Sequence, residues 1–386
     1  MVTLQTADKA LKNFYLDAIT KEIDTKVSPF LAKIEKTSAN VMGKGVSKII
    51  KIGINGGIGA GTETGDLPAS GDSDYITLNA PLKNLYGTIE ISDKAIRASA
   101  NDEGAFVNLL NEEMDSLVKS AKFNFSRMLF GNGTGYLASI TSVGVDMYMV
   151  NSVNGFIEGM YVDFWKNGAK THSHLKVVSV NRENARISVE GSDLREKDPP
   201  SPGTEVRLCG CEQGYELTGL GALFSSNDIY GVPRTKSYMK PYIESNVGEI
   251  DEEVLQMAID TIEENSGSKV NIIICSWAVR RALTNALKEK QAFLSMMDLG
   301  DNQTVLAYNG IPIVVDRFCP EGTMYLLNTN DFKLCQLCDW QWMEGEDGKI
   351  LKQVAGKPVY TATLVKYAEL ICEKPCGQGV LQGISV

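Results

Sequence analysis

The sequence predicts an α+β fold carrying a small inserted all-β domain. Three observations predict it. Apolar residues hold a helical spacing for nearly thirty residues after Asp102. Residues 139–212 then show only short alternating strands. From Asp251 helices and buried strands follow one another. A helix returns a side chain to the same face every three or four residues and a strand every two, so these stretches must fold differently.

Taken in order, residues 7–40 read as a helical arm. Leu11, Phe14, Tyr15, Ala18 and Ile19 recur at spacings of three and four, and Pro29 interrupts the pattern. The next unit is a long two-stranded excursion. Ile50, Ile52 and Ile54 alternate in "SKIIKIGI", and Ile76, Leu78, Ala80 and Leu82 alternate in "DYITLNAPL". Between them lies "GINGGIGAGTETGDLPASGDSDY", Gly53 to Tyr75, with seven glycines and neither lysine nor arginine. It is much longer than a hairpin turn of about 2–5 residues.

"LYGTIEISDKAIRAS" is a further strand, with Ile89 and Ile91 on one face. A long helix follows. Asp102 is its expected N-cap, Phe106, Leu109, Leu110, Met114, Leu117, Ala121, Phe125, Met128 and Leu129 form its stripe, and Gly131 and Gly133 stop it. In 139–212, Val178 and Val180 alternate, as do Ile187 and Val189, and no helical period appears. Beyond, "DEEVLQMAIDTIEENSGS" is an amphipathic helix and "KVNIIICS" a buried strand. "SWAVRRALTNALKEKQ" is a helix capped by Ser276, and "KPVYTATLVKYAELICEKP" a long closing β segment.

Bulk numbers exclude some functions. The chain has 386 residues, 43% of them apolar, enough for two or three units with sizeable cores. A net charge of −10 argues against a broad nucleic-acid surface, which needs clustered cations to displace counterions. No apolar run reaches the ~18–20 residues of a membrane span. The N-terminus has no continuous hydrophobic stretch of the kind a signal peptide carries. The eight cysteines sit mostly in apolar segments and read as reduced thiols.

Each chemical candidate has a plainer competitor. A phosphate loop needs glycines that run into a helix N-terminus. Here they run into Asp66, Pro68, Asp72 and then a strand, so a solvated, movable loop is the better reading. Cys335 and Cys338 with Cys372 and Cys376 could supply four thiolates to zinc. But "KLCQLC" lies on an alternating strand, where residues three apart face opposite ways, so buried thiols are favoured. His172 and His174 fall in a hydrophilic stretch and are expected in solvent. With two histidines in the chain, Ser–His and Cys–His chemistry has few routes, and no GxSxG or HExxH occurs. Trp340 and Trp342 share one strand face, which suits packing more than a platform. The residues expect no enzyme and call for no cofactor and no metal.

The order of elements, with "LKNLYGTIEISDKAIRAS", "LFGNGTGYLASI", "YELTGLGALFSSNDIYGVPR", "YNGIPIVVD", "GTMYLLNTNDFKL" and "YTATLVKYAELICEKPCGQGVLQGI", resembles the tailed-phage major capsid proteins with the Hong Kong 97 fold. The resemblance spans most of the chain except the β insertion. It implies an N-terminal arm (1–44), an extended β loop (45–85), a peripheral domain with a spine helix (86–138), the inserted β domain (139–212), a connecting segment (213–249), an axial domain (250–345) and a return to the peripheral domain (346–386). It also implies that the loop lies over a neighbouring subunit, with Gly57, Thr62, Glu63, Asp66 and Asp74 at the interface. The implied partners are further copies in hexamers and pentamers, scaffold and portal proteins, and double-stranded DNA held without base readout. The implied place is the virion, assembled in the host cytoplasm. An encapsulin-type shell shares the fold and stays open as an alternative; a nucleotide-binding α/β enzyme is the rival of another class.

Two departures from the family pattern matter. About 45 residues precede the loop, fewer than the cleaved scaffolding segment some members carry, so with Met1 in place a separate scaffold is implied. Some members also link a loop lysine to a neighbour's asparagine. Here no lysine lies between Lys51 and Lys83. Assembled particles boiled in detergent with reductant should therefore run as monomer on a denaturing gel; a ladder of multimers would contradict this.

Overall fold

The computed structural model describes residues 28–94, 103–144, 147–192, 194, 199–289, 295–298, 304–345 and 348–386. The apolar stripe expected around Leu11–Ile19 and the Asp102 cap lie outside them.

The described chain opens with a short helix α1 (Pro29–Lys33) and strands β1 (Glu35–Thr37) and β2 (Val41–Met42). The expected helical arm does not extend to residue 40. Pro29 starts a helix, because its missing N–H falls where the first turn has no acceptor anyway. Ile34 then turns extended. Phe30 is fully buried, edge-on to Phe332 at 5.1 Å and 6.4 Å from Phe130.

Strands β3 (Gly45–Ile52) and β4 (Asp74–Pro81) form a ribbon with β2. Their register runs without a slip from Gly45 opposite Pro81 to Ile52 opposite Asp74. Strand β5 (Lys83–Ser92) follows, with Leu85, Ile89 and Ile91 buried on one face. The long helix α2 spans Glu103–Phe130, about 42 Å at ~1.5 Å per residue. Its buried stripe includes Met114, Val118, Phe125, Met128 and Leu129, and it crosses β5 where Gly87 leaves room for Leu117.

Six strands come next: β6 (Tyr136–Val143), β7 (Tyr148–Val150), β8 (Tyr161–Lys166), β9 (Ala169–Asn181), β10 (Arg186–Glu190) and β11 (Glu205–Leu208). They close into a barrel in the order β10-β7-β6-β11-β8-β9. Phe156, Val162, Phe164, Leu175, Val177, Ile187 and Val206 fill it as a core of their own. Here one expectation fails. His172 is 2% exposed, edge-on to Phe164 at 5.7 Å. Asn167 and Gly168, both with positive φ, make the turn alone, so β9 begins at Ala169 and its alternation carries His172 inward. At His174 the backbone is left-handed (φ 55°), which slips the phase. Leu175 and Val177 then face in, Val178 faces out, and His174 stacks on Tyr161 at 4.3 Å.

Beyond the barrel, α3 (Leu220–Leu223) sits on the C-terminus of α2. A Cβ on Gly219 would lie 2.3 Å from the carbonyl oxygen of Met128, so the approach needs glycine. Then come β12 (Tyr242–Glu244), α4 (Glu252–Ser266), β13 (Ile272–Cys275), α5 (Trp277–Glu289), β14 (Ser295–Asp298), β15 (Thr304–Tyr308), β16 (Ile311–Val315) and β17 (Met324–Leu327). The Asp251 carboxylate accepts from the Val254 N–H at 2.9 Å and the Ser276 hydroxyl from that of Val279 at 3.3 Å, capping α4 and α5. The last strands are β18 (Phe332–Trp342), β19 (Lys352–Gln353), β20 (Val359–Cys372) and β21 (Gly379–Leu381).

Two mixed sheets result. One has seven strands in the order β12-β21-β17-β13-β16-β15-β14. The other joins β1, β18, β20 and β19, with β5 also on β20. Residues 364–368 of β20 pair with both β18 and β5, so these two flank it on opposite edges. Trp340 and Trp342 are both buried in this sheet, Trp340 edge-on to Phe125 at 6.2 Å.

A buried polar cluster ties the barrel's exit to the β5–β20 sheet. Glu369 on β20 has no exposed surface. It accepts from the Thr218 N–H at 2.8 Å, the Thr218 hydroxyl at 3.2 Å and the Leu370 N–H at 3.0 Å, and lies 3.5 Å from the Lys83 ammonium. Lys83 also donates to the Gly214 carbonyl at 2.8 Å, and Arg127 forks onto Glu216. Burial pushes the Glu369 carboxyl up to about 7, although Lys83 and the three donors pull it down. A carboxyl raised on folding stabilises the protein fully below its unfolded value, near 4.5, and that contribution is lost as pH rises through about 7. Glu369→Gln imitates the protonated acid. Its stability relative to the parent should improve from pH 5 to pH 8, by at most ~3 kcal/mol. A difference that stays flat in thermal melts across that range would show that Glu369 does not titrate there.

Candidate assembly surface

The β3–β4 ribbon is anchored at one end and free at the other. At its base Val46, Leu78 and Ala80 are buried in the main core. The Asn79 N–H donates to the Tyr230 carbonyl at 2.9 Å, the Leu82 N–H to the Lys44 carbonyl at 3.2 Å, and Lys48 pairs with Glu373. Burial fades along the ribbon: Ile50 and Ile76 are half-buried, Ile49 and Tyr75 exposed. Past Ile52 and Asp74 the two limbs run on without strand pairing.

The limbs still approach each other at one point. A Cβ on Gly71 would lie 2.5 Å from the Gly57 nitrogen, and one on Gly57 2.8 Å from the Gly71 nitrogen. No other residue permits that contact. The Asn55 side-chain Oδ1 accepts from the Gly57 N–H at 2.8 Å, and the Gly65 N–H donates to the Thr62 carbonyl at 3.2 Å in the tip turn. The chain after the glycines is strand β4, not a helix.

Of the residues expected at an interface, Gly57 lies in the pinch between the limbs, and Thr62, Glu63, Asp66 and Asp74 are exposed on the tip and its return. The structure does not gather them into a chemical site. The loop's three large apolar side chains, which are too few to bury it on its own domain, are free of cover: Ile54, Ile58 and Leu67 are 86%, 88% and 90% exposed.

The other chemical candidates are embedded. Cys335 lies opposite Glu369 on β20, and Cys372 opposite Phe332 on β18. Cys376 sits in a turn, Pro375–Gly377. Burial pushes the Cys335 thiol up to about 11 and that of Cys372 well above its ordinary value, which works against thiolate chemistry at either. Among the described residues no group of three or more His, Cys, Asp or Glu is set to hold a metal ion, and no helix is long and apolar enough to cross a membrane.

No family model and no curated protein matches the chain. Solved structures do. A chain of the Cyanophage A-1(L) capsid asymmetric unit superposes with a TM-score of 0.52 at 12% identity, covering 93% of each chain. The capsid of an empty GTA particle gives 0.48 at 11% identity, covering 92% of this chain and 90% of that one. The holo-SrpI encapsulin complex from Synechococcus elongatus PCC 7942 gives 0.46 at 10% identity, covering 93% and 89%. The fold statement rests on the first of these three: the chain has the fold of a phage capsid subunit.

The free limbs give the subunit nothing to lose. Replacing Gly56–Asp72 by a two-residue Asn-Gly turn should leave the melting temperature of the isolated subunit within a few degrees of the parent. Unfolding of the deletion variant would place the loop in the core instead.

Proposed function

We propose that the chain is the major capsid protein of a tailed phage. Copies assemble into hexamers and pentamers that close an icosahedral head shell around the DNA. The observation that carries this is the projecting ribbon: on a phage-capsid fold, its tip exposes Ile54, Ile58 and Leu67, and nothing among the described residues of the subunit covers them. Burying each would contribute ~1.5–3 kcal/mol, which contact with a second copy supplies.

In this reading the subunit is a structural protein and works without cofactor. The ribbon (45–85) is the extended loop, α2 the spine of the peripheral domain, and the seven-stranded sheet with α4 and α5 the axial domain. The barrel is the inserted domain. The negative net charge suits a wall that confines DNA by enclosure and leaves its charge to counterions. Scaffold and portal proteins complete the assembly, and the virion is its final location.

Electron microscopy of the purified protein tests the reading. Closed shells or ring-shaped capsomers are expected, and the Gly56–Asp72 deletion should form neither. A monomer that stays monodisperse at high concentration, or shells that form normally without the loop, would overturn it.

A further inference from the structure

Beside the point where the ribbon joins the main sheet stands a tyrosine in a conformation that tyrosines avoid. Ile229 and Val232 bridge each other, and the Val232 N–H donates to the Ile229 carbonyl at 2.9 Å. Tyr230 and Gly231 make the turn between them, with φ of 54° and 74°. Two positive angles in a two-residue hairpin are the pattern of a type I′ turn, whose first place suits asparagine, aspartate or glycine. A bulky side chain there crowds its own backbone. What the tyrosine touches must offset that strain.

Its contacts join two elements. The ring is buried in the main core. The hydroxyl donates to the Leu370 carbonyl at 3.0 Å and accepts from the Cys372 N–H at 3.1 Å. Burial pushes its pKa well above the ordinary value, so it keeps the proton it donates. Both partners lie on β20 just past Ala368, where β5 stops pairing. One hydroxyl thus takes the place of a strand on the edge that β5 has left. The main-chain carbonyl of the same residue accepts from the Asn79 N–H of β4 at 2.9 Å. Tyr230 therefore spans the fork between the ribbon and the sheet. The turn that carries it has a stiff mount. The buried Arg234 guanidinium donates to the carbonyls of Asn227 at 3.0 Å, Met239 at 2.7 Å, Ala222 at 3.2 Å and Leu223. The last two belong to α3, which sits on the end of α2.

Resting on the assembly reading above, we propose that Tyr230 is a positioning residue for assembly: it fixes the tilt at which the ribbon leaves the sheet, and so the curvature of the shell. Leu82 joins ribbon and sheet covalently, and Tyr230 gives a second, directional point. Lys48 and Glu373 also pair across the fork, but both are partly exposed, and a flexible lysine stem holds direction loosely. The strands of the ribbon make a lever of ~26 Å, so a tilt of about 10° displaces its far end by about 5 Å. A shift of that size changes how neighbouring copies meet.

The test uses the full chain. Tyr230→Phe removes the hydroxyl and keeps the ring. Hydrogen exchange at Asn79 should speed roughly tenfold in the isolated subunit, the effect of one lost hydrogen bond on a local opening, with β13 unchanged. The variant's shells should vary in diameter in electron micrographs where the parent's are uniform. Tyr230→Asn suits the turn but cannot reach β20, and should have the same effects. Tyr308→Phe removes a tyrosine hydroxyl that bonds Gln256 instead, and should leave both readouts at the parent's level. Unchanged exchange at Asn79 in Tyr230→Phe, exchange that rises alike in every element, or shells of the parent's uniform diameter would each overturn the inference. So would Tyr230→Asn matching the parent in both, since the tyrosine would then serve the turn alone. A parent that forms no particles overturns the assembly reading, and the curvature with it; exchange at Asn79 then still decides whether Tyr230 holds the ribbon.

Discussion

The structure depends on one strand that the chain makes almost last. β20 pairs with β5 from Val359 opposite Ser92 to Ala368 opposite Lys83, and with β18 from Leu364 to Cys372. Without it β5 would have no sheet partner among the described residues, and α2 would have no sheet to lie on. Loop-closure entropy must be met before so distant a pairing gives any return, so this sheet forms late. The barrel has its own core and mostly local pairing, and is free to form before it. The barrel's exit is fastened to β5 and β20 by buried hydrogen bonds, from Lys83 to the Gly214 carbonyl and from Thr218 to Glu369. The clamp of Lys83, Glu369 and Thr218 can close only when β20 is in place. Apolar contacts alone would tolerate several orientations of the barrel; a satisfied buried network fixes one.

The same sheet sets the geometry of the ribbon. β4 leads through Leu82 directly into β5, so the ribbon cannot pivot without disturbing the strand on which the sheet closes. Its base shares the main core with Leu334 and Leu370. Past Ile52 no such constraint acts. Ordering the segment 53–73 costs ~1–2 kcal/mol per residue, and three exposed apolar side chains cannot offset that within one subunit. Rigid base and uncovered tip are two outcomes of one distribution of apolar residues.

Much of this was legible in the sequence, and the reasons are local. Alternation in "SKIIKIGI" and "DYITLNAP" located β3 and β4, and one uninterrupted stripe located α2. Caps at Asp251 and Ser276 marked α4 and α5 because the side chain and the N–H it meets are three residues apart. Misreadings arose where a single backbone angle decides. The Asn167-Gly168 turn hid in a polar stretch, so His172 was placed in solvent when it belongs in the barrel. His174 shifts the phase of β9, which puts Val177 inside and Val178 in solvent, a choice that the alternation of Val178 and Val180 does not make. The loop's three large apolar side chains, Ile54, Ile58 and Leu67, are too few to bury it, and in the structure they stay exposed.

A subunit that exposes Ile54, Ile58 and Leu67 must also avoid sticking to everything else. The loop answers this within its own sequence. Glu63, Asp66, Asp72 and Asp74 surround Leu67 and follow the uncharged limb, with no cation to neutralise them. Two tips brought together repel, and a flat apolar surface cannot cover the isoleucines without also stripping water from nearby carboxylates, which costs several kcal/mol for each unpaired ion. A narrow site that buries one limb and leaves the other wet avoids that cost. In the assembly proposed above, the charge pattern therefore selects the shape of the partner surface as well as its polarity. It excludes broad hydrophobic association and permits a groove, and a glycine-rich limb is the kind of backbone that can enter one.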